Sequence, residues 1–87
     1  MSNRLLFFTG RECPHCHTME PLVDKLEKEE KVKVIKLEVW HNAENDKLRK
    51  KLDKDCGGVP FFFNEKTKKS LCGATSYANF KKWALGK

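Results

Sequence analysis

Two cysteines separated by two residues stand near the start of the chain, in Cys13-Pro14-His15-Cys16. Such a pair can close a small disulfide when a turn brings the sulfurs together. The first turn of a helix does this and sets the first sulfur beside backbone N–H groups that have no partner inside the helix. Those donors, with the helix dipole, favour the thiolate, which is the species that attacks disulfides. The second sulfur falls one turn inside and is more buried. The spacing therefore assigns Cys13 as the attacking thiol and Cys16 as the resolving thiol. Pro14 suits the first helical position, where its missing N–H leaves no bond unmade. His15 lies between the sulfurs in sequence and can tune Cys13, so Pro14 and His15 are read as site-tuning residues.

A metal reading of the same residues competes. Cys13, Cys16, His15 and His17 could be ligands, with Cys56 or Cys72 completing a set. Zinc sites commonly draw ligands as two paired clusters, and the sequence has neither a second C-x-x-C nor an H-x-x-x-H. The expectation is no bound metal. An iron–sulfur cluster shared between two subunits is the other form of this alternative.

The elements that must position the cysteines follow from apolar spacing. Arg4 to Thr9 contains the run Leu5-Leu6-Phe7-Phe8 and reads as a buried strand. After a loop through Gly10, Met19, Leu22, Val23 and Leu26 form one helical stripe from Pro14 onward. Pro21 lies inside that stripe and is expected to kink the helix near residues 17 to 21. Val32 to Val39 alternates as a second strand. Asn42 is an N-cap for a helix from about Ala43 to Lys54, acidic early and basic late. Its apolar face, mainly Leu48 and Leu52, is thin, so it is expected to be the least firmly held. Gly57 and Gly58 break it. Phe61 to Phe63 is a third strand, Asn64 to Lys69 a polar turn, and Ser70 to Gly73 a fourth strand antiparallel to the third. Thr75 or Ser76 caps a last helix that turns Tyr77, Phe80, Trp83 and Ala84 to one side. The order β-α-β-α-β-β-α, with a right-handed crossover joining the first two strands, predicts a four-stranded mixed sheet with helices on both faces, an α/β fold.

Composition sets the remaining bounds. The 87 residues are expected to form one domain, 1–87. Hydrophobic residues make up 39% and charged residues 34% of the chain, a balance that argues against disorder. The net charge of +6 is spread among alternating lysines and acids, so it reads as a solvated surface rather than a nucleic-acid or membrane site. The first apolar run is too short for a membrane span or a secretory signal, and the expected compartment is the cytoplasm. In a reducing compartment, paired cysteines point to catalysis or metal rather than to a disulfide scaffold.

Phe8-Thr9, Cys13-Pro14-His15-Cys16, Gly58-Val59-Pro60 and Gly73-Ala74, in this order on this element string, resemble the thioredoxin superfamily. The resemblance covers essentially the whole chain, and the size resembles the glutaredoxins and small thioredoxin-like proteins. It implies a cis Val59-Pro60 bond beside Cys13, which leaves the preceding backbone groups free to pair with a substrate strand. It implies that Gly73 lies opposite Pro60, where a side chain would block substrate. Val59, Pro60 and Gly73 are thus the implied substrate-binding residues. The implied activity is thiol–disulfide exchange with protein partners by a monomer. A reductase or glutathione would be the electron donor, and glutathione the only co-substrate in place of a cofactor.

Two departures bear on this. Thioredoxins carry a buried Asp in the first strand and a Trp before the first cysteine; here Phe7 and Glu12 stand at those places. Glutaredoxins follow the glycine of the fourth strand with an acidic pair that holds glutathione; here Ala74-Thr75-Ser76 follows Gly73. A glutathione-dependent, glutaredoxin-type reductase is the alternative on the same fold. The dipeptide Pro14-His15 resembles that of bacterial periplasmic thiol oxidases, which act as oxidants. Cys72 is expected to pair with Phe61 across the hairpin and face the core. Cys56, in the loop leading to Pro60, is read as a free exposed thiol, open to regulation by glutathionylation. An extended chain between them would hold these two cysteines too far apart for a disulfide.

Overall fold

A computed structural model describes residues 4–53 and 56–86. The elements are β1 (Leu5–Thr9), α1 (Pro14–Glu30), β2 (Val34–Glu38), α2 (Ala43–Leu52), β3 (Phe61–Asn64), β4 (Lys69–Cys72) and α3 (Tyr77–Leu85). The four strands form one mixed sheet in the order β2-β1-β3-β4. β1 runs parallel to β2, and β3 runs antiparallel to both β1 and β4.

The unbroken apolar run of β1 is explained by its central place, because both of its faces are covered. Leu5 and Phe7 point to one layer with Met19, Val23 and Leu26 of α1 and Phe80 and Trp83 of α3. Leu6 and Phe8 point to the other, with Phe61 and Phe63 of β3 and the partly buried Leu48 and Leu52 of α2. Aromatic rings fill the first layer. Phe7 stacks on Phe62 with centroids 4.7 Å apart, and Phe62 meets Phe80 and Trp83 at 5.1 and 5.5 Å. Phe7 is thus fully enclosed, stacked on Phe62.

Helix limits follow from their caps. α1 begins at Pro14 and ends where Lys31 turns left-handed, at φ 53°. It stays helical through Pro21, which lies on its exposed side. The side chains of Asn42 and Ser76 accept the N–H groups of Asn45 and Asn79 and start α2 and α3. α2 stops at Leu52, with Asp53 as its C-cap, short of the expected end at Lys54, which lies outside the described residues. Arg49, rather than an apolar residue, is its one buried side chain.

The β3–β4 turn is one residue shorter at each end than the sequence expectation, while Phe61 stands opposite Cys72 as expected. β3 continues through Asn64 and β4 opens at Lys69. Asn64 is buried rather than part of a polar turn: its Nδ2 donates to the carbonyls of Trp83 and Ala84, and its Oδ1 accepts from Lys66 and Thr67 N–H. One side chain closes the β3–β4 turn and binds two carbonyls at the end of α3, that of Ala84 and that of Trp83, which also accepts the Gly86 N–H. Among the described residues no helix is long and apolar enough to cross a membrane.

Candidate functional site

Cys13 is the N-cap of α1. Its backbone is extended, at φ −86° and ψ 111°, and its N–H donates to the Gly10 carbonyl at 3.0 Å, closing the loop after β1. Its Sγ accepts the Cys16 backbone N–H at 3.2 Å. A cap sulfur thus takes one of the donors that a helix start leaves unpaired. Pro14 occupies the first helical turn, and His15 is exposed just beyond it. Both cysteines are free thiols. Cys16 is fully buried, while Cys13 keeps 4% of its surface, so access to the pair is through Cys13.

The Cys16 sulfur is perturbed by its surroundings. Burial pushes the Cys16 thiol up to about 11, and its interaction with Cys13 pushes in the same direction. Hydrogen bonds from Thr9 and Gly10 oppose these effects without cancelling them. Cys16 therefore holds its proton at neutral pH.

Val59-Pro60 is a cis peptide bond. The Val59 carbonyl lies 4.0 Å from Cys13 Sγ, which brings this loop against the cysteine as the resemblance implies. Gly73 follows β4, and its N–H donates to the Pro60 carbonyl at 2.8 Å, extending the pairing of Phe61 with Cys72 by one step. Gly73 has a φ of 82°, and a Cβ built there would meet no atom within 4 Å. The backbone angle rather than crowding is therefore what favours glycine at this position. Val59, Pro60 and Gly73 thus lie together, with Val59 against Cys13.

The expectations for Cys56 and Cys72 are both corrected. The two form a disulfide, with Cα atoms 5.4 Å apart. The chain from Cys56 to Pro60 is not extended. Gly57 turns it at φ 72°, and the Asp53 carboxylate holds the Cys56 and Gly57 N–H groups at 2.6 and 2.7 Å, folding the loop back toward β4. Cys56 is therefore neither free nor fully exposed. Cys72 does pair with Phe61 and shares its sheet face, but β4 is an edge strand, and Cys72 is exposed rather than in the core.

Asp53 is a residue that the sequence reading passed over. Besides the two loop N–H groups, its carboxylate receives Arg49 Nη1 at 2.6 Å, and Asp46 holds the same guanidinium through Nε at 3.0 Å. The end of α2 is thereby fastened to the loop that leads to Val59 and Pro60. The signal was present: acids three residues before and four residues after Arg49 can reach it on a helix.

Trp40 was also missed. Its indole is 52% exposed and lies across Gly10, where an added Cβ would come within 2.4–2.7 Å of the ring. Glu38 builds this rim by accepting the N–H groups of Arg11, Trp40 and His41 at 2.8, 3.1 and 2.7 Å. His41 in turn bridges to Glu12 at 2.8 Å. His17 donates from Nε2 to the Arg11 carbonyl at 2.6 Å, tying α1 to the same loop. The register of β1 with β2, Thr9 opposite Glu38, could have placed Trp40 beside Gly10.

No protein-family model matches the chain, and no curated protein matches it significantly. Among the described residues, no three His, Cys, Asp or Glu side chains are grouped as metal ligands.

Proposed function

We propose that the protein is a thiol–disulfide oxidoreductase of thioredoxin-like topology, acting through Cys13 and Cys16 on disulfides of protein partners. One observation carries the reading. Cys13 caps α1 with its sulfur on the Cys16 N–H, against the Val59-Pro60 loop, while Cys16 lies behind it with its proton retained. The strand order, with α1 and α3 on one face and α2 on the other, supports the topology.

In the reducing direction, the Cys13 thiolate attacks one sulfur of a substrate disulfide. An S–S bond forms to Cys13, the substrate bond breaks, and its electron pair leaves on the second substrate sulfur, which takes a proton. Cys16 then loses its proton and attacks Cys13 Sγ. The mixed disulfide breaks, the first substrate sulfur leaves as a thiolate, and Cys13 and Cys16 end oxidised to a disulfide while the substrate has gained two electrons. The order of these steps follows from the environment of Cys16. Its interaction with Cys13 helps hold its proton in the dithiol. Once Cys13 is bonded to substrate, that contribution is gone, and the Thr9 and Gly10 hydrogen bonds oppose burial alone. Cys16 becomes easier to ionise when resolution requires it. The backbone of Val59 is the docking edge for an extended substrate segment, added in the manner of a strand.

The test is a pair of variants. Cys13→Ser abolishes reduction of insulin disulfides, and Cys16→Ser accumulates partners as mixed disulfides on Cys13. Full-rate reduction by Cys16→Ser with no trapped species would overturn the dithiol mechanism. Coupling the wild-type protein to thioredoxin reductase or to glutathione with glutathione reductase identifies the electron donor. Elemental analysis finding one metal per chain or per dimer, lost in Cys13→Ser, would overturn the enzymatic reading.

A further inference from the structure

The Cys56–Cys72 disulfide lies outside the chemistry proposed for Cys13 and Cys16, and its two halves are unequal. Cys72 is exposed on the edge strand β4, whereas Cys56 is half-buried in the folded loop. The disulfide opens onto a cleft of about 550 Å³, within the size range of small-molecule sites. Leu52, Phe61 and Phe63 give the cleft apolar walls, and the cationic residues Lys51 and Lys68 also line it. Among the described residues its one carboxylate, Asp53, is engaged by Arg49 and by the Cys56 and Gly57 N–H groups, so it does not offset both lysines. An exchangeable sulfur and two cations sharing one cleft suit a thiol that carries carboxylates.

We propose that Cys56–Cys72 is a second thiol-exchange site, entered at Cys72, that takes an anionic low-molecular-weight thiol of the glutathione class. The incoming thiolate attacks Cys72 Sγ and forms a mixed disulfide there. The Cys56–Cys72 bond breaks, and its electron pair leaves on Cys56 Sγ, which takes a proton from water. The Gly58 carbonyl, 3.6 Å from that sulfur, accepts the new S–H. One disulfide replaces another, so no external oxidant is needed. In the reverse step the Cys56 thiolate attacks Cys72 and expels the small thiol. Exposure decides the direction of entry, because exchange requires approach along the S–S axis and Cys72 is exposed whereas Cys56 is half-buried.

The experiment uses the Cys13→Ser/Cys16→Ser protein, so that the proposed catalytic thiols cannot contribute. The oxidised protein is exposed to reduced glutathione, neutral 2-mercaptoethanol or cationic cysteamine, compared at equal thiolate concentration. N-ethylmaleimide then stops the exchange, and peptide masses locate each group. The expected product carries glutathione on Cys72 and maleimide on Cys56. Lys51→Glu/Lys68→Glu should slow the glutathione reaction, whose thiolate is net −2, by at least about threefold, slow mercaptoethanol, whose thiolate is −1, less, and affect cysteamine, whose thiolate form is net neutral, least. Because the lysine variants could disturb folding, the Cys13→Ser/Cys16→Ser protein with its native lysines is mapped in parallel at low and high salt, where glutathione should lose the most rate on adding salt and cysteamine the least. Glutathione on Cys56, a disulfide that survives glutathione, or equal responses of the three thiols would each overturn the proposal. None of these outcomes depends on Cys13 or Cys16 being active.

Discussion

Asp53→Ala should loosen the Val59-Pro60 loop more than any other single change on the α2 side of the sheet. The Asp53 side chain is 4% exposed and faces a guanidinium that is 9% exposed. Three losses can be ranked. The bond to Arg49 Nη1, at 2.6 Å, is charge-assisted and little hydrated. Its loss costs about 2 kcal/mol, the range for a hydrogen bond to a charged group. Asp46 still holds Nε, which keeps the figure below that of a fully orphaned buried cation. The half-buried Cys56 N–H loses a charged acceptor, at about 1 kcal/mol. Gly57 is exposed, and water replaces most of what its N–H loses. The total is about 3 kcal/mol. With an m-value near the low end for so short a chain, about 1 kcal/mol per molar urea, the urea midpoint should fall by about 2–3 M. The fluorescence of Trp83, which is buried, follows the transition, and the measurement is made without reductant so that Cys56–Cys72 stays closed. Asp53→Asn keeps an acceptor oxygen for the loop but loses the charge, and should fall between wild type and alanine. If the proposed activity holds, Asp53→Ala also raises KM for a protein disulfide while leaving a small aromatic disulfide reagent nearly unaffected. A loss below about 1 kcal/mol in Asp53→Ala, the size of one ordinary hydrogen bond, or equal losses in alanine and asparagine, would show that the carboxylate does not anchor the loop.

Further outcomes follow from the rim and the two thiols. At pH 7, iodoacetamide should label Cys13 before Cys16, and Cys16 at least about a hundredfold more slowly in the folded protein than after unfolding. A rise from 9.0 to about 11 lowers the Cys16 thiolate fraction by two decades, and burial adds to it; equal labelling would contradict the assignment of roles. The same shift has a sign in stability: between about pH 9 and 11 the unfolded Cys16 has lost its proton and the folded one has not. Stability should therefore fall with rising pH by up to about 2–3 kcal/mol in wild type relative to Cys16→Ala, and a flat difference curve would refute it. Gly10→Ala should displace the Trp40 ring and shift its fluorescence. It should cost about 1–3 kcal/mol by overpacking, and unchanged emission and stability would mean that the indole does not lie across Gly10. His15→Ala should lower the Cys13/Cys16 reduction potential, measured in glutathione buffers, by tens of millivolts, where about 30 mV corresponds to about 1.4 kcal/mol; an unchanged potential would leave Pro14 and the helix start as the control point.

The parts of the fold legible in the sequence were those where one side-chain pattern has one reading. Leu5 to Phe8 has no polar alternation, and a strand with two covered faces sits at the centre of a sheet. Met19, Val23 and Leu26 repeat at helical spacing and are fully buried. Asn42 and Ser76 announced their helices through the short side-chain oxygens that caps need. The misses fall where polar residues serve the interior. Asn64 carried the signal of a turn, since asparagine is common in turns. Only the approach of the end of α3 shows that its amide is buried and engaged. Arg49 looked like part of a basic helix end; its spacing from Asp46 and Asp53 allowed the pairing, but only the folded loop that donates its Cys56 and Gly57 N–H groups to Asp53 shows that carboxylate to be an interior anchor.

The candidate site divides the same way. Cys13 and Cys16 were legible because the chemistry of a helix start depends on local spacing: the cap sulfur and the Cys16 N–H are three residues apart and meet whatever the rest of the chain does. Cys56 and Cys72 were misjudged because their distance depends on how residues 56 to 60 travel. An extended path carries Cys56 away from β4, while a turn at Gly57, held by Asp53, returns it. The glycines at 57 and 58 announced a break after α2 but not its direction, which is set by a carboxylate at the end of the preceding helix. Trp40 is a third case. Its exposure gives it no pattern, and its neighbour is a glycine that shows nothing in sequence except freedom. The contact exists because the parallel register of β1 and β2 carries the chain after Glu38 alongside the loop after Thr9, where only a residue without a Cβ leaves room for an indole. Residues that act through a neighbour close in sequence can thus be read from spacing, whereas those that act across strands or through a loop need the register, and it is the second kind that surrounds Cys13.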